Sequence, residues 1–497
     1  MLSITATAVV CLTALMTANG FVAPLAGRCD APVASFKSKP ALRMSTEQGG
    51  DEPLVFPRSM LKKRKLEIPN NMGVGTMAWG DHNVGFVSDP KHKPKQGEFN
   101  PADLQGAYNT LAVAGITFFD TSDVYGYKSL KEGYSAEQLL GRFAEENGRP
   151  LIGAKYMPIL WTKFLIGGPW RAGRRAVAKA LSATLERGGW AYVDLYQASC
   201  CCDGYRSVHF PFPYFGGMDA LAEGLSKACD RGLCRSVGVS NFNAKQMREF
   251  SEKLGKYGIT LASNQFEYSL VNRNAETDGT LAECQRLGVL PLAHTPLAKG
   301  LATGVYTASN PTGGKMGPPK YVFNDLFPLT PIHTALVSVA KRVEARLMVE
   351  AKEEQKRAFE ALEDDQEQAP PPKPKKISTT QVALNYVSVH TCTPRSYCCY
   401  FALMSMFSVL GSIRAKGIVP LPGVKTKAHA DEIVGCLGWQ LVQEDVDILD
   451  AAHDAYKVDT GGKTIKRGKD RDSMKRSALH LGRGRGWASQ DWYKEDE

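Results

Sequence analysis

Eight short apolar runs, separated by stretches of helical character, constrain this chain more than any other feature. They are the segment around Met72–Gly80, then Ile116–Phe119, Leu151–Lys155, Tyr192–Gln197, Ser236–Asn241, Ala262–Glu267, Val289–Thr295 and Ile418–Pro422. Each is short for a helix, and Ile116–Phe119, with its β-branched and aromatic residues, reads as a buried strand. Between them lie Pro101–Ala114, a stretch near Arg171–Arg187 and another near Met218–Arg231. Strands alternating with helices point to a parallel sheet, and eight such units point to a (β/α)8 TIM barrel. At 497 residues the chain exceeds one ordinary domain but suits one barrel carrying insertions. Its 43% apolar and 23% charged residues are those of a soluble globular protein.

In parallel α/β proteins, chemistry collects in the loops after the carboxyl ends of strands. The run Ile116–Phe119 ends abruptly in Asp120, with Tyr125 in the polar turn that follows, and Leu151–Lys155 ends in a lysine. A carboxylate, a phenol and an ammonium at adjacent strand ends form a recognisable set. A cation near a tyrosine favours phenolate and makes the phenol a better acid, while the carboxylate keeps the lysine charged. The plainer reading has Asp120 capping the next helix and Tyr125 packing at the rim.

The segment Phe119-Asp-Thr-Ser-Asp-Val-Tyr-Gly126, followed by Ser135-Ala-Glu-Gln-Leu-Leu-Gly141, closely resembles the aldo-keto reductases. The resemblance covers roughly residues 71–460 outside the insertions, and motifs recur in order at six of the eight strand ends. It implies an NADPH-dependent enzyme that reduces aldehyde or ketone carbonyls. Tyr125 would be the acid, Lys155 and Asp120 would tune it, and His209 would orient the carbonyl. A rival reading is an NADPH-binding regulatory protein of the same fold with little turnover.

No Gly-x-Gly-x-x-Gly follows a strand and opens a helix, so the Rossmann fingerprint is absent. Barrels commonly bind phosphate through the loops after the last two strands and a helix amino end. By the resemblance, Gly75 and Thr76 line the cofactor pocket, and Thr295, Pro296, Leu297, Lys299 and Gly300 form the pyrophosphate loop. Gly423, Lys425 and Lys427 open the final helix, where cations suit the extra phosphate of NADP. Ser240, Asn241 and Gln265 would hold the nicotinamide amide, and Glu432 the adenine, although Ile433 stands where the family often has asparagine.

Two segments interrupt the pattern. Ala198–Ser207 separates Val193-Asp-Leu-Tyr-Gln197 from Val208-His-Phe-Pro211, so His209 is displaced by about ten residues from its usual place in the family's pattern. Either those residues loop out, or Ser199 or Cys200 occupies the histidine's place. Ser388–Ile413 likewise divides two pieces that the family joins almost directly. Its apolar part, Tyr400–Leu410, is too short for a transmembrane helix. Both inserts suit either genuine loops or a retained intron. A third extra stretch, Lys341–Gln368, reads as a solvated helix ended by the stiff Pro370–Pro374, giving an insertion near 341–376.

The chain begins with the apolar core Val9–Leu15 and a small-x-small site, Ala18-Asn-Gly20. Phe21 then precedes a segment bearing Arg28, Lys37, Lys39 and Arg43 against the single acid Asp30. This resembles the two-part leader of algae with secondary plastids, and a plain secreted protein is the alternative. Consecutive Cys200–Cys202 and adjacent Cys398–Cys399 suggest neither a disulfide framework nor a metal site. At the other end, Lys463–Arg485 holds nine Lys/Arg against two Asp, which reads as a flexible basic extension with no nucleic-acid motif. The expected plan is a leader over 1–50, a barrel over 51–460 and a basic tail over 461–497. The partner is a small-molecule carbonyl, with no nucleic acid, no membrane span in the mature protein and an undetermined oligomeric state. The loops around Met157–Gly168 and Asn310–Phe327 carry no substrate signature.

Overall fold

A computed structural model describes residues 66–156, 173–199, 217–313, 326–360, 375–389 and 417–460. All lie in one compact unit, Pro53–Glu497. The leader, His209, the residues 200–207 and 390–413 of the two inserts, residues 157–168 and the basic tail lie outside the described residues.

Eight strands form one parallel sheet in chain order: β1 (Gly73–Gly75), β2 (Phe118–Asp120), β3 (Leu151–Tyr156), β4 (Leu195–Ser199), β5 (Val237–Ser240), β6 (Leu261–Glu267), β7 (Leu290–His294) and β8 (Val419–Leu421). The two edges meet where Gly75 bridges Gly423 and donates its N–H to Pro422 O at 2.9 Å. The fold is therefore the expected (β/α)8 barrel.

The outer helices begin where local chemistry dictates. Helix α1 (Pro101–Val113) has proline in its first turn, and Asn100 and Asp103 form a reciprocal capping box. Ser135 with Gln138 does the same for α2 (Ala136–Asn147). Helices α3 (Gly173–Gly188) and α4 (Gly217–Asp230) follow β3 and β4. Asn243 with Gln246 caps α5 (Ala244–Gly255), and α6 (Thr280–Leu287) leads into β7. Between β7 and β8 lie α7 (Thr330–Glu360) and α8 (Thr379–Val389); after β8 come α9 (Lys427–Val434) and α10 (Gln443–Thr460).

The structure revises the sequence reading in two places. The fourth strand starts at Leu195 and runs to Ser199, beyond the expected Gln197. Asp194 instead accepts the Ile152 N–H at 3.0 Å, and the Tyr192 ring is stacked by the Arg149 and Arg235 guanidiniums at 3.9 and 3.7 Å. Ala198 and Ser199, assigned to the insert, therefore pair with Val239 and Ser240. The stretch from Lys341 is not solvated throughout. Arg342 and Arg346 reach the fully buried Asp445 at 3.0 and 2.9 Å, pinning the middle of α7 to the start of α10.

Inside the barrel the side chains form two layers. Phe118, Leu195, Leu292, Val419 and Leu421 make a separate apolar cluster. Glycine is required beside it, because a Cβ at Gly73 or Gly153 would stand 2.7 Å from the Phe118 ring. Strand side chains repeat every two residues, so the next inward positions are Asp120, Lys155, Gln197 and His294. The apolar layer seals one end, and the polar layer faces the carboxyl ends of the strands. Among the described residues no helix is long and apolar enough to cross a membrane, and no cluster of His, Cys, Asp or Glu could hold a metal ion. The described cysteines, Cys229, Cys234, Cys284 and Cys436, are buried, and none of them is in a disulfide.

Candidate active site

Three residues singled out in sequence come together at the barrel mouth. Lys155 Nζ from β3 is ion-paired to Asp120 Oδ2 from β2 and donates to Tyr125 OH at 3.3 Å. Asp120 Oδ1 accepts from Gln197 Nε2 at 3.0 Å and from Gln265 Nε2 at 2.8 Å. Asp120 and Lys155 are almost wholly buried, at 3% and 4% exposure, so water does little to screen them. Burial pulls the Lys155 pKa down, but Asp120 and Tyr125 more than offset it and leave the ammonium firmly protonated.

Tyr125 is pinned through its backbone. Its N–H donates to Ser122 O at 3.0 Å, and its carbonyl accepts from Ala136 N–H, the first residue of α2, at 3.1 Å. Gly126 follows in the left-handed region, where a Cβ would come within 2.4 Å of Trp79 O. The capping box that starts α2 thus also sets the height of the phenol. Burial raises the Tyr125 pKa, and the lowering effect of Lys155 does not overcome it. The expected net acidification is therefore corrected: desolvation of the phenolate outweighs the nearby cation, and the phenol stays protonated.

The residues expected to hold a cofactor divide into three groups. At the β1 end, Gly75 forms the closing bridge to Gly423, while the Thr76 N–H and hydroxyl both donate to Asp120 O at 3.0 Å. Ser240, buried at the end of β5, pairs with Ser199 and Gln265. Asn241 follows with φ +60° and donates its N–H to Gln265 O at 2.7 Å, and Gln265 itself turns inward to Asp120.

The second group is the loop after β7, where Thr295 and Lys299 have φ +57° and +59° and Gly300 follows at +101°. Pro296 is buried, Leu297 half-buried and Lys299 exposed. The third group surrounds the start of α9, where Thr426 is the N-cap. Lys425 Nζ donates to Val84 O at 2.7 Å and lies 4.9 Å from the Phe99 ring centre; Lys427 pairs with Asp431 at 2.7 Å. Glu432 accepts from Ser378 Oγ, so in this structure it ties α9 to the cap of α8.

Two polar residues at the mouth escaped the sequence reading. Gln197 was read only as part of a strand motif, yet it is one of two amides on Asp120. His294 ends β7 with Nε2 3.0 Å from Asn241 Oδ1 and Nδ1 3.0 Å from Thr295 Oγ1. Burial, with Lys155 and Lys299 close by, lowers its pKa to about 3, so it is neutral at ordinary pH. The available signal was the period-two spacing that puts both residues inward, two positions beyond Leu195 and Leu292.

A sequence model of the Aldo/keto reductase family matches residues 71–454. The chain is similar to a chloroplastic pyridoxal reductase of Arabidopsis thaliana, 27% identical over 398 residues that cover 79% of this chain and 85% of the relative. It is also similar to the L-glyceraldehyde 3-phosphate reductase of Escherichia coli K12, 31% identical over 242 residues, 47% of this chain and 61% of that protein. Among solved structures, a glycerol dehydrogenase from Gluconobacter oxydans superposes with a TM-score of 0.48 at 17% identity, covering 81% of this chain and 98% of that one. An aldo-keto reductase from Klebsiella pneumoniae in complex with NADPH gives 0.46 at 17% identity, over 78% and 95%.

Proposed function

Because the chain belongs to the aldo/keto reductase family, we propose that it reduces an aldehyde or ketone carbonyl of a small molecule with NADPH, using Tyr125 as the acid. The observation that carries this reading is the placement of one buried ammonium, Lys155, between the Asp120 carboxylate and the Tyr125 hydroxyl. The donor set suits a nicotinamide nucleotide. Uncharged amide and hydroxyl groups, Ser240, Asn241, Gln265 and Thr295, gather near Lys155 at the strand ends, as a carboxamide ring requires. Lys425 and Lys427 flank the amino end of α9, as a phosphate requires and as the 2′-phosphate of NADPH favours. The same family resemblance assigns Gly75, Thr76, Pro296, Leu297, Lys299, Gly300, Gly423 and Glu432 to the cofactor.

When bound, the nicotinamide supplies the hydride. The protein's part is then positional and electrostatic. Tyr125, kept protonated by its burial, hands its hydroxyl proton to the substrate oxygen as negative charge develops there. Lys155 steadies the phenolate left behind, and Asp120 keeps Lys155 charged and fixed. His209 is assigned to orient the carbonyl. The chloroplastic relative and the leader composition together support a plastid location, with residues 1–50 removed. Residues 51–460 are assigned to the barrel and 461–497 to a basic tail.

The test is NADPH fluorescence titration together with turnover of a mixed panel of aldehydes and ketones, pyridoxal included, on protein lacking the first fifty residues. Binding with carbonyl-dependent NADPH consumption is expected, with NADH the weaker reductant. Binding without turnover on any carbonyl would overturn the enzymatic reading, and equal use of NADH would overturn the preference for NADPH.

A further inference from the structure

His294 takes no part in the chemistry assigned to Tyr125, yet it is held more closely than a packing residue needs to be. It ends β7, and its ring spans the carboxyl end of β6 to reach Asn241 beyond β5. Its two nitrogens meet different partners. Asn241 Oδ1 is an acceptor, so Nε2 carries the proton and donates across 3.0 Å. Nδ1 must then accept, and the Thr295 hydroxyl at 3.0 Å donates to it. Both partners have left-handed backbone, at φ +60° and +57°, which turns their side chains toward the same ring. The Asn241 amide nitrogen makes no hydrogen bond among the described residues, and Asn241 and His294 are both partly open to the mouth.

We infer that His294 is a positioning residue for the cofactor: by engaging Asn241 Oδ1 it leaves the Asn241 amide nitrogen as the group offered to the carboxamide oxygen of the nicotinamide. An asparagine side chain can rotate by half a turn and present either end, which would suit that carboxamide in either of two orientations. The donor on His294 removes one of them. A protonated imidazole would donate from both nitrogens and dislodge Thr295; burial, helped by the two nearby cations, keeps the ring neutral. The inference rests on the reading of the site as a nicotinamide pocket.

The test compares His294→Phe, which keeps a ring without a donor, with His294→Gln, whose amide restores one. Two probes are titrated: NADPH and 2′-phosphoadenosine diphosphoribose, which has the same phosphates but no nicotinamide. Loss of one positioned hydrogen bond should weaken NADPH binding by about 5- to 10-fold in His294→Phe. The nicotinamide-free probe should bind unchanged, and His294→Gln should recover most of the NADPH affinity. Nitrogen NMR of the wild-type imidazole should show the proton on Nε2 at neutral pH. Equal weakening of both probes, no weakening of either, or a proton on Nδ1 would overturn the inference. Failure of the wild type to bind NADPH would instead overturn the nicotinamide reading on which it stands.

Discussion

Two clusters of buried charge in this molecule use similar groups and reach opposite ends. At the mouth, Asp120, Lys155 and Tyr125 are joined by Gln197 and Gln265. Beyond β6, Arg273 donates from Nε and Nη2 to Glu276 at 2.7 and 2.6 Å and from Nη1 to Asp450 at 2.7 Å. Tyr268 and Tyr386 then donate to Glu276 and Asp450 at 2.6 Å each. This second cluster is closed. All three guanidinium nitrogens are used, and it joins the loop after β6 to α8 and α10. The mouth cluster is open, because its phenol stands at the end of a chain of charge with only Lys155 hydrogen-bonded to the hydroxyl among the described residues. A charge network closed on itself holds elements together, whereas one that ends at the open barrel mouth leaves its last group within reach of a bound molecule.

The sharpest way to break that comparison is Tyr125→Phe. Deleting the hydroxyl removes one 3.3 Å contact, so the melting temperature should barely move and NADPH should still bind. Turnover should fall about a hundred- to ten-thousand-fold, the range of a positioned acid. A large loss of stability with activity retained would show the mouth cluster to be structural.

Arg273→Met tests the other side. It leaves Glu276 and Asp450, both half-buried, without their cation, which should cost about 3 kcal/mol of stability in urea unfolding, the low end for a buried pair that loses one partner. Turnover per folded molecule should stay unchanged. A selective loss of activity would mean that the closed network also serves the mouth.

The smallest effect belongs to a rim cluster. Hydrogen bonds from Arg286 and Arg248 hold the Glu283 pKa down at about 2. A carboxyl with a depressed folded pKa contributes stability that is present above the unfolded value near 4.5 and lost as pH falls toward 2. Both arginines are more than half exposed, so screening reduces the contribution to about 0.5–1 kcal/mol. Glu283→Gln should flatten unfolding midpoints between pH 4.5 and 2, and an unchanged slope there would assign the acid sensitivity elsewhere.

Much of this was legible in the chain. Hydrophobic runs marked every strand, and the capping pairs Asn100–Asp103, Ser135–Gln138 and Asn243–Gln246 stand at spacings visible in the sequence. Asp120, Tyr125 and Lys155 could be named because each sits at, or just beyond, a strand end. Gln197 and His294 could not, since a glutamine or histidine ending an apolar run has many uses. Nor could the net direction of the Tyr125 pKa be read, because it depends on how much water the folded mouth excludes. The lysine-rich stretch after Lys341 looked solvated for a similar reason: its anchor, Asp445, lies about a hundred residues away in sequence.

The sequence by itself determined the barrel, its helix starts and the residues that end its strands, since strand and helix periods and caps are set by neighbours within a few positions. Only the tertiary structure decided which of those side chains meet. Asp120 and Gln265 are 145 residues apart and become partners because the strand stagger brings their inward positions to one level. Burial then decided their electrostatics, because the energy of a charge depends on the water around it, and that is set only when the whole barrel has closed.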